Sequence, residues 1–297
     1  MLTPPEQLVQ QLRTLADLTR MRLIALCRQG ECSVSELTEV IGLSQPRISQ
    51  HLRALCDSGL LSRHRDGKRV FYRVPQRAED AALREQLLAL IPAEERPFTD
   101  DWRRLLELRG ESLGLVSDLT TIDDADRAIY RAIIDLTVTT PIGSLLDIGC
   151  GRGQILKLLA SRATRAVGVD IDEKARELAR AELMIAGVPG CSLRKGDMYR
   201  LPFGDQEFDT IILDDVLANA AHPIRALREA RRLLKPGGRM LLLLSVTQRT
   251  TTELQSSLAQ WSAAAHLRLA PARIATQKNP RWMLAVATVA ESEEEAA

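Results

Sequence analysis

The chain has 297 residues, 45 % apolar and 27 % charged, with a net charge of +1 and only 3 % aromatic. That is room for two globular domains with cores built mainly from Leu, Ala, Ile and Val. No apolar run reaches the roughly 20 residues a membrane helix needs, the opening MLTPPEQLVQ lacks the marks of a secretory signal, and Cys27, Cys32, Cys56, Cys150 and Cys191 are odd in number and scattered; a cytoplasmic protein with reduced thiols is expected, without membrane association.

Charge is unevenly placed. Residues 1–77 hold twelve Lys/Arg against seven Asp/Glu, so the front of the chain is the part suited to phosphate. Leu8, Leu12, Leu15, Leu18, Leu23 and Leu26 recur near the helical period and predict a helix over 6–29. In SVSELTEVIG, Ser33 and Glu36 have capping-box spacing, and Gly42 can end the helix they start. LSQPRISQHLRAL opens a second helix, with Ser44 as cap and Pro46 in its first turn. Ile48, Leu52 and Leu55 form its inner stripe, and Arg47, Ser49, Gln50 and Arg53 face the other way, with Gln45 near the start. Two short helices with Arg and Gln outward on the second describe a helix-turn-helix, whose forked side chains match guanine and adenine edges. LLSRHRDGKRVFYRV then reads as two strands joined at Asp66-Gly67, a hairpin crowded by Arg63, Arg65, Lys68, Arg69 and Arg73. Such a wing can grip phosphate; the plainer alternative is a solvated basic hairpin in a domain that only dimerises.

ELTEVIGLSQPRISQHLRALCDSGLLSRHRDGKRVFYRV resembles the ArsR-type winged-helix regulators over about residues 5–92. The resemblance implies double-stranded operator DNA as partner and a homodimer packed through residues of about 6–28 and 79–91. Metal-sensing relatives carry Cys-Val-Cys where this chain has Ser33-Val34-Ser35, so no metal site is expected; soft metals need convergent thiolates.

Residues 78–140 show three helical patterns, DAALREQLLALI, DDWRRLLELRGESLGL and DADRAIYRAIIDL, with Pro92 and Pro97 at a break. They read as a connector with dimer-forming helices, or else as a lid lined by Trp102 and Tyr130.

From residue 144 apolar strands alternate with amphipathic helices: SLLDIG, RAVGVDID, CSLRKGDM, FDTIILDDV and GGRMLLLLSV are strands, and HLRLAPARIAT and RWMLAVATVA end the series. Seven strands in that rhythm predict an α/β Rossmann-like sheet with helices on both faces. LLDIGCGRG ends the first strand in a glycine turn, where ligands bind such sheets. Its Gly-x-Gly-x-Gly spacing, Gly149, Gly151 and Gly153, departs from the dinucleotide fingerprint, which needs a glycine at 154, where Gln stands. Asp170, ending the second strand, suits a ribose diol in either cofactor class, and Asp197 after the third can accept from an adenine amino group.

LLDIGCGRG, GVDID, GDMYRLPF, FDTIILDDVL and ALREARRLLKPGGRMLLL, in this order, resemble the class I S-adenosylmethionine (SAM) methyltransferases over about residues 125–290. The resemblance assigns Asp147, Gly149, Cys150, Gly151 and Gly153 to the methionine part of the cofactor, Asp170 to the ribose, Ile171 to the adenine face, Asp197 and Met198 to the adenine edge, and Asp214 to the face toward the acceptor. Each acid taken singly could instead cap a helix. No catalytic base stands out; Asp215 could take a proton or cap the next helix. DDVLANAAHP lacks the tetrapeptide of many methyltransferases acting on base amino groups, and no cysteine set could hold arsenite.

The expected layout is therefore a two-domain chain: a winged helix-turn-helix (α+β) at 1–92, a helical linker at 93–124, a class I methyltransferase domain at 125–290 and an acidic tail at 291–297. The expected function is a DNA-binding transcriptional regulator whose rear domain binds SAM, or S-adenosylhomocysteine (SAH), and transfers a methyl group to a small acceptor. The alternatives are a sensing repressor without turnover, a metabolite methyltransferase that regulates its own operon, and, more weakly, a nucleic-acid methyltransferase targeted by the winged helix.

Overall fold

The computed structural model describes residues 5–75, 81–113, 124–138, 140–188, 190–246, 250–274 and 282–290; the expected acidic tail lies outside them. The chain forms two compact units, Met1–Asp118 with Glu177–Arg194, and Leu119–Arg176 with Lys195–Ala297.

Helices α1 (Pro5–Leu15) and α2 (Leu18–Gln29) stand where one helix was expected. The break falls at Asp17, whose carboxylate accepts the Arg20 N–H at 2.9 Å and so caps α2. Strand β1 (Cys32–Ser33) leads into α3 (Val34–Ile41), where the capping box is present: Ser33 Oγ accepts the Glu36 N–H, and the Glu36 carboxylate accepts the Ser33 N–H at 2.7 Å. Helix α4 (Gln45–Asp57) has proline in its first turn, and Ser44 caps it by position without a side-chain bond. Strands β2 (Ser62–Asp66) and β3 (Arg69–Arg73) make the hairpin, and the three-stranded sheet runs β1-β3-β2. Asp66 pairs with Arg69, so the loop residues are Gly67-Lys68 rather than Asp66-Gly67. Gly67 takes the left-handed φ of 61° that a tight hairpin needs at its first loop position, and Asp66 is a buried strand end. Helices α5 (Ala81–Ala89) and α6 (Phe98–Leu113) stand on either side of Pro92 and Pro97. The core of this unit joins Leu23, Ile24, Leu37, Ile48, Leu52 and Leu55 to Leu88, Phe98 and Leu105, and Met184 belongs to it.

The remaining elements are α7 (Asp124–Val138), β4 (Ser144–Ile148), α8 (Gln154–Leu159), β5 (Arg165–Asp170), α9 (Glu173–Ile185), β6 (Cys191–Lys195), β7 (Phe208–Asp214), α10 (Pro223–Leu233), β8 (Leu234–Ser245), α11 (Thr251–Ala264), β9 (Leu267–Leu269), β10 (Arg273–Ile274) and β11 (Trp282–Val289). The described residues form a mixed eight-stranded sheet, ordered β10-β11-β8-β7-β4-β5-β6 with β9 paired on β11. The Rossmann-like sheet is thus present, with one expected strand divided: HLRLAPARIAT becomes β9 and β10 around Pro271, which has no N–H for a ladder, and both pieces pair with β11. Strand β4 lies between β5 and β7, both parallel to it, so the strand order reverses there. Leu146, Ile148, Val167, Ile211, Leu213 and Leu242 fill the sheet's core, against Leu227 and Leu233 of α10 and Leu254 and Leu258 of α11. Every residue of β4 is buried, including an acid, Asp147.

Candidate functional site

Helix α4 presents a clean division. Ile48, Leu52 and Leu55 are fully buried, Gln45, Arg47, Gln50 and Arg53 are exposed, and Ser49 is half-buried. These five donor side chains stand away from the buried stripe of the helix. On the hairpin, Arg65 and Lys68 are exposed, and Arg65 Nε donates to the Gly67 carbonyl at 3.0 Å, which steadies the loop. Arg69 is engaged differently: it forms an ion pair with Glu177. Cys27 and Cys32 are buried, and the Cys27 thiol is pushed well up, first by its hydrogen bond with Cys32 and then by burial. Trp102 packs against the core of the unit that holds α4, while Tyr130 is half-buried on α7.

The second cluster lies at the carboxyl ends of β4, β5 and β7. Gly149, Gly151 and Gly153 all have left-handed φ, at 78°, 49° and 76°. At Gly149 a Cβ would stand 2.1 Å from Val216 Cγ1, so no other residue fits the turn. The loop is fastened to β5: the Gly149 and Cys150 N–H groups both donate to the Val169 carbonyl, at 2.8 and 3.1 Å. Asp170 accepts from the Gly151 N–H through one oxygen and from the Asp172 N–H through the other, both at 2.9 Å. Its carboxylate thereby joins the first glycine turn to the end of the second strand and retains lone pairs directed at neither. Arg176, almost fully buried, donates to the Asp170 carbonyl at 3.1 Å and steadies that strand end. Ile171, next in sequence, is 67 % exposed.

Asp147 is fully buried, and among the described residues neither of its carboxylate oxygens has a hydrogen-bond partner. Burial first, then the charges of Asp214 and Asp170, holds its carboxyl well above the usual range. Asp214 is half-buried, and burial with Asp215 and Asp170 nearby pushes it up to about 7. Cys150 is raised for the same reasons, burial followed by Asp147, Asp170 and Asp214. Three carboxyls crowd here, and the raised carboxyls of Asp147 and Asp214, even with Arg176 bonded to the Asp170 carbonyl, mark a site that favours positive charge. Asp197 is exposed, with Oδ1 accepting the Tyr199 N–H at 3.0 Å, and Met198 packs partly against the sheet's core. Asp215 does not cap a helix: it has a left-handed φ of 53°, and its Oδ1 accepts the Ser245 N–H at 2.7 Å, tying the end of β7 to the end of β8.

Sequence reasoning thus placed Asp147, the glycines, Asp170 and Asp214 on one rim, and the structure brings them together. It missed Arg176, which a helical reading treats as a surface residue.

Residues 17–63 match the family described as "Bacterial regulatory protein, arsR family", and residues 146–242 match "Methyltransferase domain". A Streptomyces lividans protein named "Probable mercury resistance operon repressor" is 40 % identical over 88 residues, which are 29 % of this chain and 70 % of that protein. An Ectopseudomonas mendocina protein named "Ubiquinone/menaquinone biosynthesis C-methyltransferase UbiE" is 35 % identical over 117 residues, 38 % of this chain and 46 % of that one. The crystal structure of the [4+2]-cyclase SpnF shares the fold at a TM-score of 0.50 and 16 % identity, covering 63 % of this chain and 94 % of that one. Apart from the repressor, the chain spans about half the length of the curated relatives it matches. No helix among the described residues is long and apolar enough to cross a membrane. With the winged helix matched along most of the repressor, and the sheet behind it matched by methyltransferases, the chain belongs to the bacterial arsR family of regulatory proteins and carries a Rossmann-like methyltransferase domain in the same polypeptide.

Proposed function

We propose that the protein is a transcriptional regulator that binds double-stranded operator DNA as a homodimer through residues 1–92, and binds SAM or SAH through residues 125–290, the ligand shifting its affinity for DNA. The observation that carries the ligand site is Asp147: a buried carboxylate with both oxygens unpaired, beside a turn stripped of side chains. Buried polar groups are almost always satisfied, and an ammonium group is what this one lacks. Asp147 and the turn from Gly149 to Gly153 would hold the amino-acid end of the ligand, and Asp170 the ribose hydroxyls. The exposed Ile171 side chain would cover one face of the adenine, with Asp197 and Met198 at its edge. Exposed apolar side chains on α1 (Val9 and Leu12), at the start of α2 (Leu18) and just past α5 (Leu90) support dimerisation through the front helices.

The bound ligand would supply a methyl group already activated on a sulfonium. The protein's share of a transfer is then to hold a small acceptor in line and exclude water. Asp214 is the carboxyl best able to hold or take an acceptor proton, because it titrates near neutrality. The likeness to a protein named for quinone C-methylation makes small quinone-type acceptors the first to assay. A second reading, ligand sensing without turnover, is favoured by Asp215, whose Oδ1 is committed to the Ser245 N–H.

The test is calorimetry with SAM and SAH, followed by operator binding at fixed salt with and without each ligand. Binding heat is expected with the native protein and lost in folded Asp170→Ala. A 5- to 150-fold shift in operator affinity, roughly 1–3 kcal/mol of coupling, is expected on saturation. Absent heat would refute the ligand site, and unchanged DNA affinity with bound ligand would refute the regulation. Release of SAH from SAM in the presence of candidate acceptors separates transfer from sensing.

A further inference from the structure

The wing is held by residues far from it in sequence. Asp66 and Arg69, the ladder pair that closes the hairpin, each meet an opposite charge from α9: Arg180 Nη2 donates to Asp66 at 2.6 Å, and Glu177 pairs with Arg69. Glu177 and Arg180 stand three apart, on one face of their helix, so an acid–base pair on the wing meets a base–acid pair on α9. Arg180 does more than this. Its Nε donates to Glu31 at 2.7 Å, its Nη2 also donates to the Leu193 carbonyl at 2.9 Å, and its guanidinium lies 3.9 Å from the centre of the Phe71 ring. The side chains of Arg180, Glu31 and Asp66 are nearly inaccessible, at 5 %, 3 % and 3 % exposure. Burial keeps the imidazole of His64, 3.2 Å from Glu31, below its usual range; of the guanidinium groups at Glu31, Arg180 meets the carboxylate and Arg109 the backbone carbonyl.

The structure assigns Arg180 as a positioning residue for DNA binding: it fixes the wing, and with it Arg65 and Lys68, from a helix that lies outside the matched arsR segment. The planar fork reaches Glu31, beside β1, and Asp66, at the tip of β2, in one rigid group, which an ammonium could not do. The inference rests on the reading of the wing as a phosphate-gripping hairpin, and the experiment separates the two.

The probe is a duplex enriched from a random pool by the full-length native protein, with affinity measured across a salt series. Each phosphate contact contributes about 0.9 to the slope of log affinity against log salt. In Arg180→Met the slope should fall by about 2 per protomer as Arg65 and Lys68 leave the backbone, while discrimination against duplexes altered at the bases facing α4 is retained. Arg180→Met takes a guanidinium away from two buried acids and can fail to fold; Asp66→Asn keeps the Arg180–Glu31 pair, should stay folded, and should show the same flattening. A role confined to stability would lower the melting temperature and leave the slope untouched, and that result in either folded variant overturns the assignment. Arg65→Ala with Lys68→Ala is the control: a native slope there would overturn the reading of the wing itself.

Discussion

If the proposed ligand binds beside Asp147, Asp170 and Asp214, their crowding should set the pH dependence of its binding. Asp214 is pushed up to about 7 by burial, Asp215 and Asp170, and Asp147 is also raised, by burial, Asp214 and Asp170. A cationic ligand favours the ionised carboxylates, so binding must expel the protons these groups hold when the site is free. For a group with a free-state pKa of about 7, roughly one molecule in ten is ionised at pH 6 and nine in ten at pH 8, so SAM affinity should rise on the order of tenfold over that interval from Asp214 alone. SAH, which lacks the sulfonium charge, should follow a shallower curve, and preference for SAM should therefore grow with pH. The stability of the ligand-free protein runs the other way. Between about 4 and 7 the folded state holds a proton on Asp214 that the unfolded chain has lost, so this contribution is complete below the unfolded pKa and disappears as pH rises through 7. Asp214→Asn should accordingly raise the melting temperature at pH 8, by about 5 °C if some 2 kcal/mol of charge repulsion is relieved. Calorimetry at pH 6, 7 and 8 in two buffers of different ionisation enthalpy counts the protons released, about three-quarters of a proton per ligand from Asp214 near pH 6.5. A flat affinity profile, or an unchanged profile in Asp214→Asn, would refute the electrostatic account.

Arg47→Ala with Arg53→Ala should weaken operator binding by about ten- to a thousandfold at fixed salt and relax base preference, since each forked contact is worth roughly 1–3 kcal/mol; persistence of tight, selective binding in a mobility-shift assay would remove α4 from the major groove. Gly149→Ala, whose new methyl would collide with Val216 at a left-handed φ of 78°, should cost about 1–3 kcal/mol in thermal denaturation and abolish SAM heat in calorimetry. Full SAM affinity in that variant would mean the turn is not the cradle.

The parts of this molecule that were legible in sequence are those where chemistry is local. Ser33 and Glu36 are three residues apart and bond to each other's backbone, so their spacing alone specifies the cap. The glycines at 149, 151 and 153 are needed by the turn's own φ values. The helix break at Asp17 had a local signal too, an acid three residues before an N–H it could accept, which the apolar period across 6–29 masked. The Pro271 break in the last strands had one as well, in a residue that cannot join a ladder.

What could not be read depends on partners distant in sequence. Glu31, Asp66 and Arg180 look like surface charges, because charged side chains are almost never buried unless paired, and nothing local shows a partner 114 or 149 positions away. Asp147 illustrates the converse: its burial was implicit in the apolar run around it, but its lack of a partner is a fact about every neighbouring strand at once. These two kinds of buried charge call for different readings. Arg180 is satisfied on every side, by Glu31, Asp66, Leu193 and the Phe71 ring, and so it fixes geometry. Asp147 is satisfied on none, in a place where burial without compensation is costly, and so it points to something the chain must bind. Helix α9 starts at Glu173, three residues beyond Asp170, and carries Arg180 in the same run of helix, so a ligand that alters the hold of Asp170 on Asp172 would act on the helix that bears Arg180. The effect of SAM on operator binding should therefore appear in the salt slope more than in base preference, and it should vanish in Asp66→Asn.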